Sequence, residues 1–160
     1  NIQPGSGTNQ LWNPISVTVS PDGIIFIADT ENKRIIQIST IGTFSIYTSH
    51  TQRILSILYF NNYLYITDSN SNVGITTNQA ILSEYTGFVY PQAIGHSDNG
   101  TDVFIADTYQ YMIRSFSSGT SPSYSYKTIG NFMINKDGTF AVSTVVCSPD
   151  NKFFTVTCPF

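Results

Sequence analysis

The chain has 160 residues, 41% of them hydrophobic and 14% aromatic, enough for one domain with a sizeable core. Only 11% are charged, against roughly a quarter in an ordinary globular protein, so the surface is polar chiefly through Ser, Thr, Asn and Tyr. Seven basic against ten acidic residues give a net charge of −3, which argues against a nucleic-acid binder, and no apolar run approaches the roughly 20 residues of a membrane span.

The sequence opens at Asn1 without Met or a cleavable signal, the expectation for a mature exported product or a fragment. "NIQPGSGTNQ" reads as a lead-in segment. Its Gly5-Ser6-Gly7 is followed by neither Lys-Ser/Thr nor a helix, so it is a loop rather than a phosphate cradle. Ile15, Val17 and Val19 then alternate with Ser16, Thr18 and Ser20, the two-residue period of a half-buried strand. Ser20-Pro21-Asp22-Gly23 is a turn, with Pro where φ is fixed and Gly where the chain recovers through a left-handed conformation. Ile24 to Ala28 is apolar throughout, as expected of a strand covered on both faces. A polar turn at Glu31 to Lys33 leads to a third strand at Ile35 to Ile38, and "GTFSIYTS" supplies a fourth.

The pattern returns. Asp29 ends "FIAD", Asp68 ends "YITD" and Asp107 ends "FIAD", each interval being 39 residues. "ILSILYF", "NYLYITD", "VGITT" and "ILSEYTG" form the second unit; "PQAIGHS", "DVFIADT", "YMIRSFS" and "YSYKTIG" form the third. No stretch has the pattern of an amphipathic helix. Four-stranded antiparallel units of about 40 residues, each too small to bury its own faces, are the blades of a β-propeller. The expected blades are 11–50, 51–88 and 89–130, with a partial fourth at 131–160 where "STVVCSPDNKFFTVTC" repeats "ISVTVSPDGIIFIADT". The expectation is thus an all-β propeller of three full blades and an incomplete fourth.

"NPISVTVSPDGIIFIADTENKRI" resembles the NHL repeat, matching it at Pro14, Gly23, Ala28, Asp29, Asn32, Arg34 and Ile35, with Lys33 where that family often has His. The third unit keeps Ala106, Asp107 and Ile113, has Pro91 one place early, and carries Gln110 for the Asn and Met112 for the Arg; the second keeps Asp68 and the strand pattern. The resemblance implies a propeller. NHL-type rings are commonly six-bladed, which needs about 240 residues at roughly 40 per blade. One branch of the family is an amidating lyase that uses several zinc-binding histidines, and this chain has only two histidines.

Asp29, Asp68 and Asp107 are read as structural: a carboxylate ending the second strand of each unit can accept hydrogen bonds from N–H groups of the turn that follows. The competing reading is a carboxylate ring around a cation, which for calcium needs six to eight oxygens. His50 and His96 have no Cys, His or Glu at ligand spacing. No Gly-x-Ser-x-Gly elbow is present, and the scattered carboxylates are those of an ordinary soluble β-protein. Asn99-Gly100-Thr101 fits a glycosylation triplet in a turn.

An unfinished last blade leaves the strand Phe153, Phe154, Thr155, Val156, Thr157 as an edge that another chain can extend. Cys147 and Cys158 would lie about 20 Å apart in one flat hairpin at about 3.3 Å per residue. An intermolecular bridge, a curled strand that joins the two, and two free thiols all remain open.

The functional expectation is an extracellular, non-enzymatic structural or interaction protein, self-assembling into an oligomer or filament through that blade. Protein or glycan binding and a metal-dependent hydrolase or lyase are the alternatives. No cofactor, nucleic acid or membrane span is expected.

Overall fold

The computed structural model describes residues 4–77, 80–97, 100–110, 112–118 and 127–131. They form three antiparallel sheets of four strands, each a meander in chain order. The first contains β1 (Pro14–Val19), β2 (Ile25–Asp29), β3 (Arg34–Ile38) and β4 (Phe44–Ser49). The second contains β5 (Ile54–Phe60), β6 (Tyr63–Asp68), β7 (Val73–Thr77) and β8 (Ala80–Tyr85). The third contains β9 (Pro91–His96), β10 (Asp102–Asp107), β11 (Met112–Ser117) and β12 (Lys127–Asn131). Among the described residues one 3₁₀ turn, Thr108–Gln110, follows β10.

The turns follow from their residues. Gly23 has φ +81° and donates its N–H to the Ser20 carbonyl at 2.9 Å, closing the Ser-Pro-Asp-Gly turn. Asn61 and Asn62 both have positive φ, 49° and 66°, in the two-residue link between β5 and β6. That link needs a left-handed backbone at both positions to match strand twist, and Asn tolerates it better than most side chains.

β1 lies beside β5, and β5 beside β9, so the first strands of the three sheets line up while the sheets stack face to face. Between the first two sheets, Phe26, Ala28 and Ile35 meet Ile54, Ile57, Leu64 and Ile66. Between the second and third, Tyr65, Val73 and Ile75 meet Val103, Ile105 and Phe116, with Phe88 from the connection. Phe26 stacks on Tyr59 with ring centroids 5.6 Å apart.

The 39-residue period is the reason these layers superimpose: Ile25, Leu64 and Val103 are equivalent, as are Ile27, Ile66 and Ile105. Thr30 in the first sheet donates its hydroxyl to the Ile54 carbonyl at 2.9 Å. Asn61 reaches the Gly100 carbonyl at 2.7 Å and the Ser118 hydroxyl at 3.0 Å. All three bonds join neighbouring sheets.

The alternation in β1 runs opposite to the half-buried reading. Ser16 and Thr18 turn toward the second sheet, and Ile15, Val17 and Val19 turn outward, 49%, 63% and 54% exposed. The reason lies in β5, whose outer backbone edge faces β1. Its Ile57 N–H donates to the Ser16 hydroxyl at 3.0 Å and its Tyr59 N–H to the Thr18 hydroxyl at 3.0 Å. A strand edge inside the stack would otherwise strand these donors. β2 departs from expectation in the same way: Ile25 and Ile27 are only half-buried, whereas Leu64, Ile66, Val103 and Ile105 are at most 1% exposed.

Candidate functional site

Each sheet carries its aspartate at the end of the second strand, fully or almost fully buried. Asp29 accepts from the Trp12 N–H at 2.6 Å, the Asn32 side-chain amide at 2.8 Å and Arg34 Nε at 2.7 Å. Arg34 also donates from Nη1 to the Ser6 carbonyl at 2.6 Å and from Nη2 to the Gly7 and Gln10 carbonyls at 2.8 and 2.9 Å, and Asn32 donates to the Gly5 carbonyl at 2.8 Å. The Gly5-Ser6-Gly7 loop is therefore clamped over the end of the first sheet by a buried ion pair.

Asp107 repeats the plan, accepting from the Val89 and Tyr90 N–H groups at 2.9 and 3.0 Å, with Arg114 Nη2 at 3.1 Å. Met112 stands opposite Asp107 in register where Arg34 stands opposite Asp29. The cation comes from Arg114, two residues further along the same strand face. Its guanidinium also bonds Gln110 and the Gly87 carbonyl, and lies 5.0 Å from the centre of the Phe88 ring. The repeat spacing directs attention to Met112, and only side-chain reach reveals Arg114.

Asp68 differs. It accepts from the Asn70 and Asn72 N–H groups at 2.8 and 3.1 Å, the following-turn geometry expected from the sequence. At Asp29 and Asp107 the backbone donors come instead from the segment that enters the first strand, 17 or 18 residues earlier. Where the other units place Arg, Asp68 faces His50 Nε2 at 3.8 Å, with the imidazole and carboxylate side chains 7% and 2% exposed. His50 Nδ1 accepts from the Gln52 N–H at 3.2 Å, which leaves the hydrogen on Nε2, toward Asp68. His96 stacks on Phe60, ring centroids 4.3 Å apart.

Among the described residues, no group of three or more His, Cys, Asp or Glu is placed to hold a metal ion. No described helix is long and apolar enough to cross a membrane. Asn99, Cys147, Cys158 and the edge at Phe153, Phe154, Thr155, Val156 and Thr157 lie outside the described residues. Gly100 and Thr101 of the glycosylation triplet are in a surface turn, Gly100 at φ +76°.

Among the described residues, two exposed apolar patches stand out. The outward face of the first sheet carries the register rows Val17, Ile27, Ile36, Ile46 and Val19, Ile25, Ile38, Phe44, beside the row Pro14, Asp29, Arg34, Ser49 that the lead-in loop covers. Besides the β1 residues, Phe44 and Ile46 are 38% and 44% exposed, while Ile36 is buried. An apolar groove of about 350 Å³, lined by Leu11, Pro14, Ile15, Ser16, Val17 and Ile27, runs along the β1 side. At the third sheet, Tyr109 is 62% exposed and stacks on Tyr90 with centroids 4.7 Å apart.

Residues 11–38, the first sheet's β1, β2 and β3 with their lead-in, match the family model of the NHL repeat. No curated protein matches this chain. Solved structures do match. Hydrazine synthase from Kuenenia stuttgartiensis aligns over 95% of this chain and 44% of its own, with TM-score 0.72 and 17% identity. Virginiamycin B lyase from Staphylococcus aureus aligns over 76% and 42%, with TM-score 0.62 and 20% identity. Regucalcin from Agrobacterium tumefaciens, a calcium-binding protein, aligns over 58% and 37%, with TM-score 0.53 and 11% identity. The chain spans less than half the length of each.

These likenesses establish an all-β, antiparallel fold of β-propeller type. They also correct the expectation that the protein is not an enzyme. A synthase and a lyase share this architecture, so the fold gives no ground for denying chemistry. At 20% identity or less, they assign no particular reaction either.

Proposed function

We propose that this chain is an extracellular propeller module that works by associating with other protein, copies of itself included. In this reading the three sheets are three complete blades. The single observation carrying it is the open face of the first sheet. The equivalents of Ile25 and Ile27 are buried in the second and third sheets because another sheet covers them, and contiguous exposed apolar surface is characteristic of association sites. The low charge content agrees with a protein that meets others through polar and apolar contacts, and the Asn99 triplet supports the extracellular assignment.

Light scattering coupled to size exclusion, run over a hundredfold range of loading concentration, tests the reading. The expected result is a mass that rises above the 17.7 kDa of one chain as concentration increases. A mass fixed at 17.7 kDa throughout would contradict self-association.

A second reading, glycan binding, is favoured by the tyrosine pair. Tyr90 is tethered by Asp107, and the Thr108 N–H donates to its carbonyl at 2.9 Å, so the step holding Tyr109 outward is rigidly built. Aromatic faces of this kind suit the apolar face of a sugar ring. Binding on a glycan array that Tyr109→Ala abolishes would establish it; an array with no signal would remove it.

A further inference from the structure

The tyrosine pair of the third sheet is one end of a longer surface. We propose that the strand ends of the three sheets form a continuous band that binds a neutral oligosaccharide of several pyranose rings, stacked on Trp12 at one end and on Tyr109 at the other. This inference rests on the glycan-binding reading and names its ligand.

The same bond builds each step of the band. In every sheet the turn after the second strand donates an N–H to a carbonyl of the segment that enters the first strand: Glu31 to Trp12 at 3.1 Å, Ser69 to Arg53 at 2.9 Å and Thr108 to Tyr90 at 2.9 Å. Trp12 and Tyr90 are equivalent, since each donates its own N–H to the aspartate 17 residues ahead. Bonds between neighbouring sheets fix the order. Arg53 pairs with Glu31 of the first sheet at 2.8 Å, and the Ser71 hydroxyl donates to the Val89 carbonyl at the entry of the third at 2.9 Å. Across the stack the band therefore runs from Trp12 through the Glu31–Arg53 pair and Ser71 to Tyr90 and Tyr109.

Stacking leaves this end of the sheets open. The second sheet is packed on both faces, yet its Ser69 and Asn70 are exposed and its Arg53 side chain is 56% exposed. A neighbouring sheet covers faces, whereas the band is made of turns at strand ends, so a sheet added to the stack leaves it accessible. Trp12 and Tyr109 are 53% and 62% exposed.

The chemistry favours sugar. Exposed aromatic rings suit the C–H face of a pyranose. Between them the Glu31 carboxylate accepts, the Arg53 guanidinium donates and the Ser71 hydroxyl does both, which matches sugar hydroxyls that are donor and acceptor at once. Glu31 and Arg53 offset one another and Lys33 adds one positive charge, too few cations to hold a polyanion. A peptide that adds as a strand needs an unused backbone edge, and the turn N–H groups are already donated within the band. Packed sheets stand about 10 Å apart, so Trp12 and Tyr90, two layers apart, are on the order of 20 Å from one another. A disaccharide reaches one aromatic end only, and a hexasaccharide reaches both.

Trp12 is the one tryptophan of the chain, so its fluorescence reports on the far end of the band. The full chain is titrated with cellohexaose, chitohexaose and xylohexaose and with the corresponding disaccharides, and binding is followed by fluorescence and by calorimetry. At least one hexasaccharide is expected to shift Trp12 emission saturably and to bind tenfold or more tighter than its disaccharide. In calorimetry Trp12→Ala and Tyr109→Ala should each weaken that binding about tenfold with an unchanged circular dichroism spectrum, because Trp12 is tethered by its backbone N–H and Tyr109 is exposed. A disaccharide that binds as tightly as its hexasaccharide, depends on Tyr109 and leaves Trp12 emission unchanged would overturn this inference and leave the glycan reading standing. No heat with any of the sugars would overturn both. A Pro-rich decapeptide that shifts Trp12 emission where the sugars do not would assign the band to peptide and overturn the proposal as well.

Discussion

Asp29 is buried with three hydrogen-bond donors, one of them a buried guanidinium that in turn holds the lead-in loop. Asp29→Ala leaves Arg34 without its counter-charge and frees the Trp12 N–H. Breaking a buried pair from one side costs about 3–5 kcal/mol; urea denaturation should show a loss of that size, and Asp107→Ala a similar one. Asp68→Ala should cost less, about 1–3 kcal/mol, because its nearest donors are two turn N–H groups and its histidine stands 3.8 Å away. Equal losses at all three positions would contradict this ranking. By contrast, Arg53 and Glu31 are paired at 2.8 Å with the arginine side chain 56% exposed, and Glu31→Gln should change stability by less than about 1 kcal/mol. The three aspartates were legible from their spacing alone. Their partners were not, because Arg114 reaches back from two residues beyond its repeat position and His50 replaces an arginine from a different segment.

The strands could be read from alternation and turn chemistry, and β1 shows where such a reading stops. Periodicity separates two faces without saying which is covered, and the Ser16 and Thr18 hydroxyls go inward because β5 presents donors there. Stacking makes a graded prediction at equivalent positions. Ile66→Ala and Ile105→Ala remove side chains buried by a neighbouring sheet and should each cost about 2–5 kcal/mol. Ile27→Ala, measured in dilute protein, should cost clearly less, since its side chain is only half-buried. Equal losses in denaturant titrations would mean that the first sheet is covered after all. In the turn before β2, Gly23→Ala forces a left-handed backbone on a residue with a Cβ, and a loss of about 1 kcal/mol is expected in the same titration.

For the whole molecule, the 39-residue interval was sufficient to predict stacked meanders, because each unit must bury its faces on the next. It could not reveal which described strand residues are left uncovered, since Val17 and Ile57 are both plain apolar strand residues and differ only in what lies over them, 63% against 4% exposed. The account depends on the exposed face of the first sheet being a contact surface. Hydroxyl-radical footprinting over a range of protein concentration measures this most directly, residue by residue. Oxidation of Ile15, Val17, Val19 and Phe44 should fall as concentration rises, while that of Tyr109 stays constant as an internal reference. Oxidation of the first-sheet face that is independent of concentration would contradict the account.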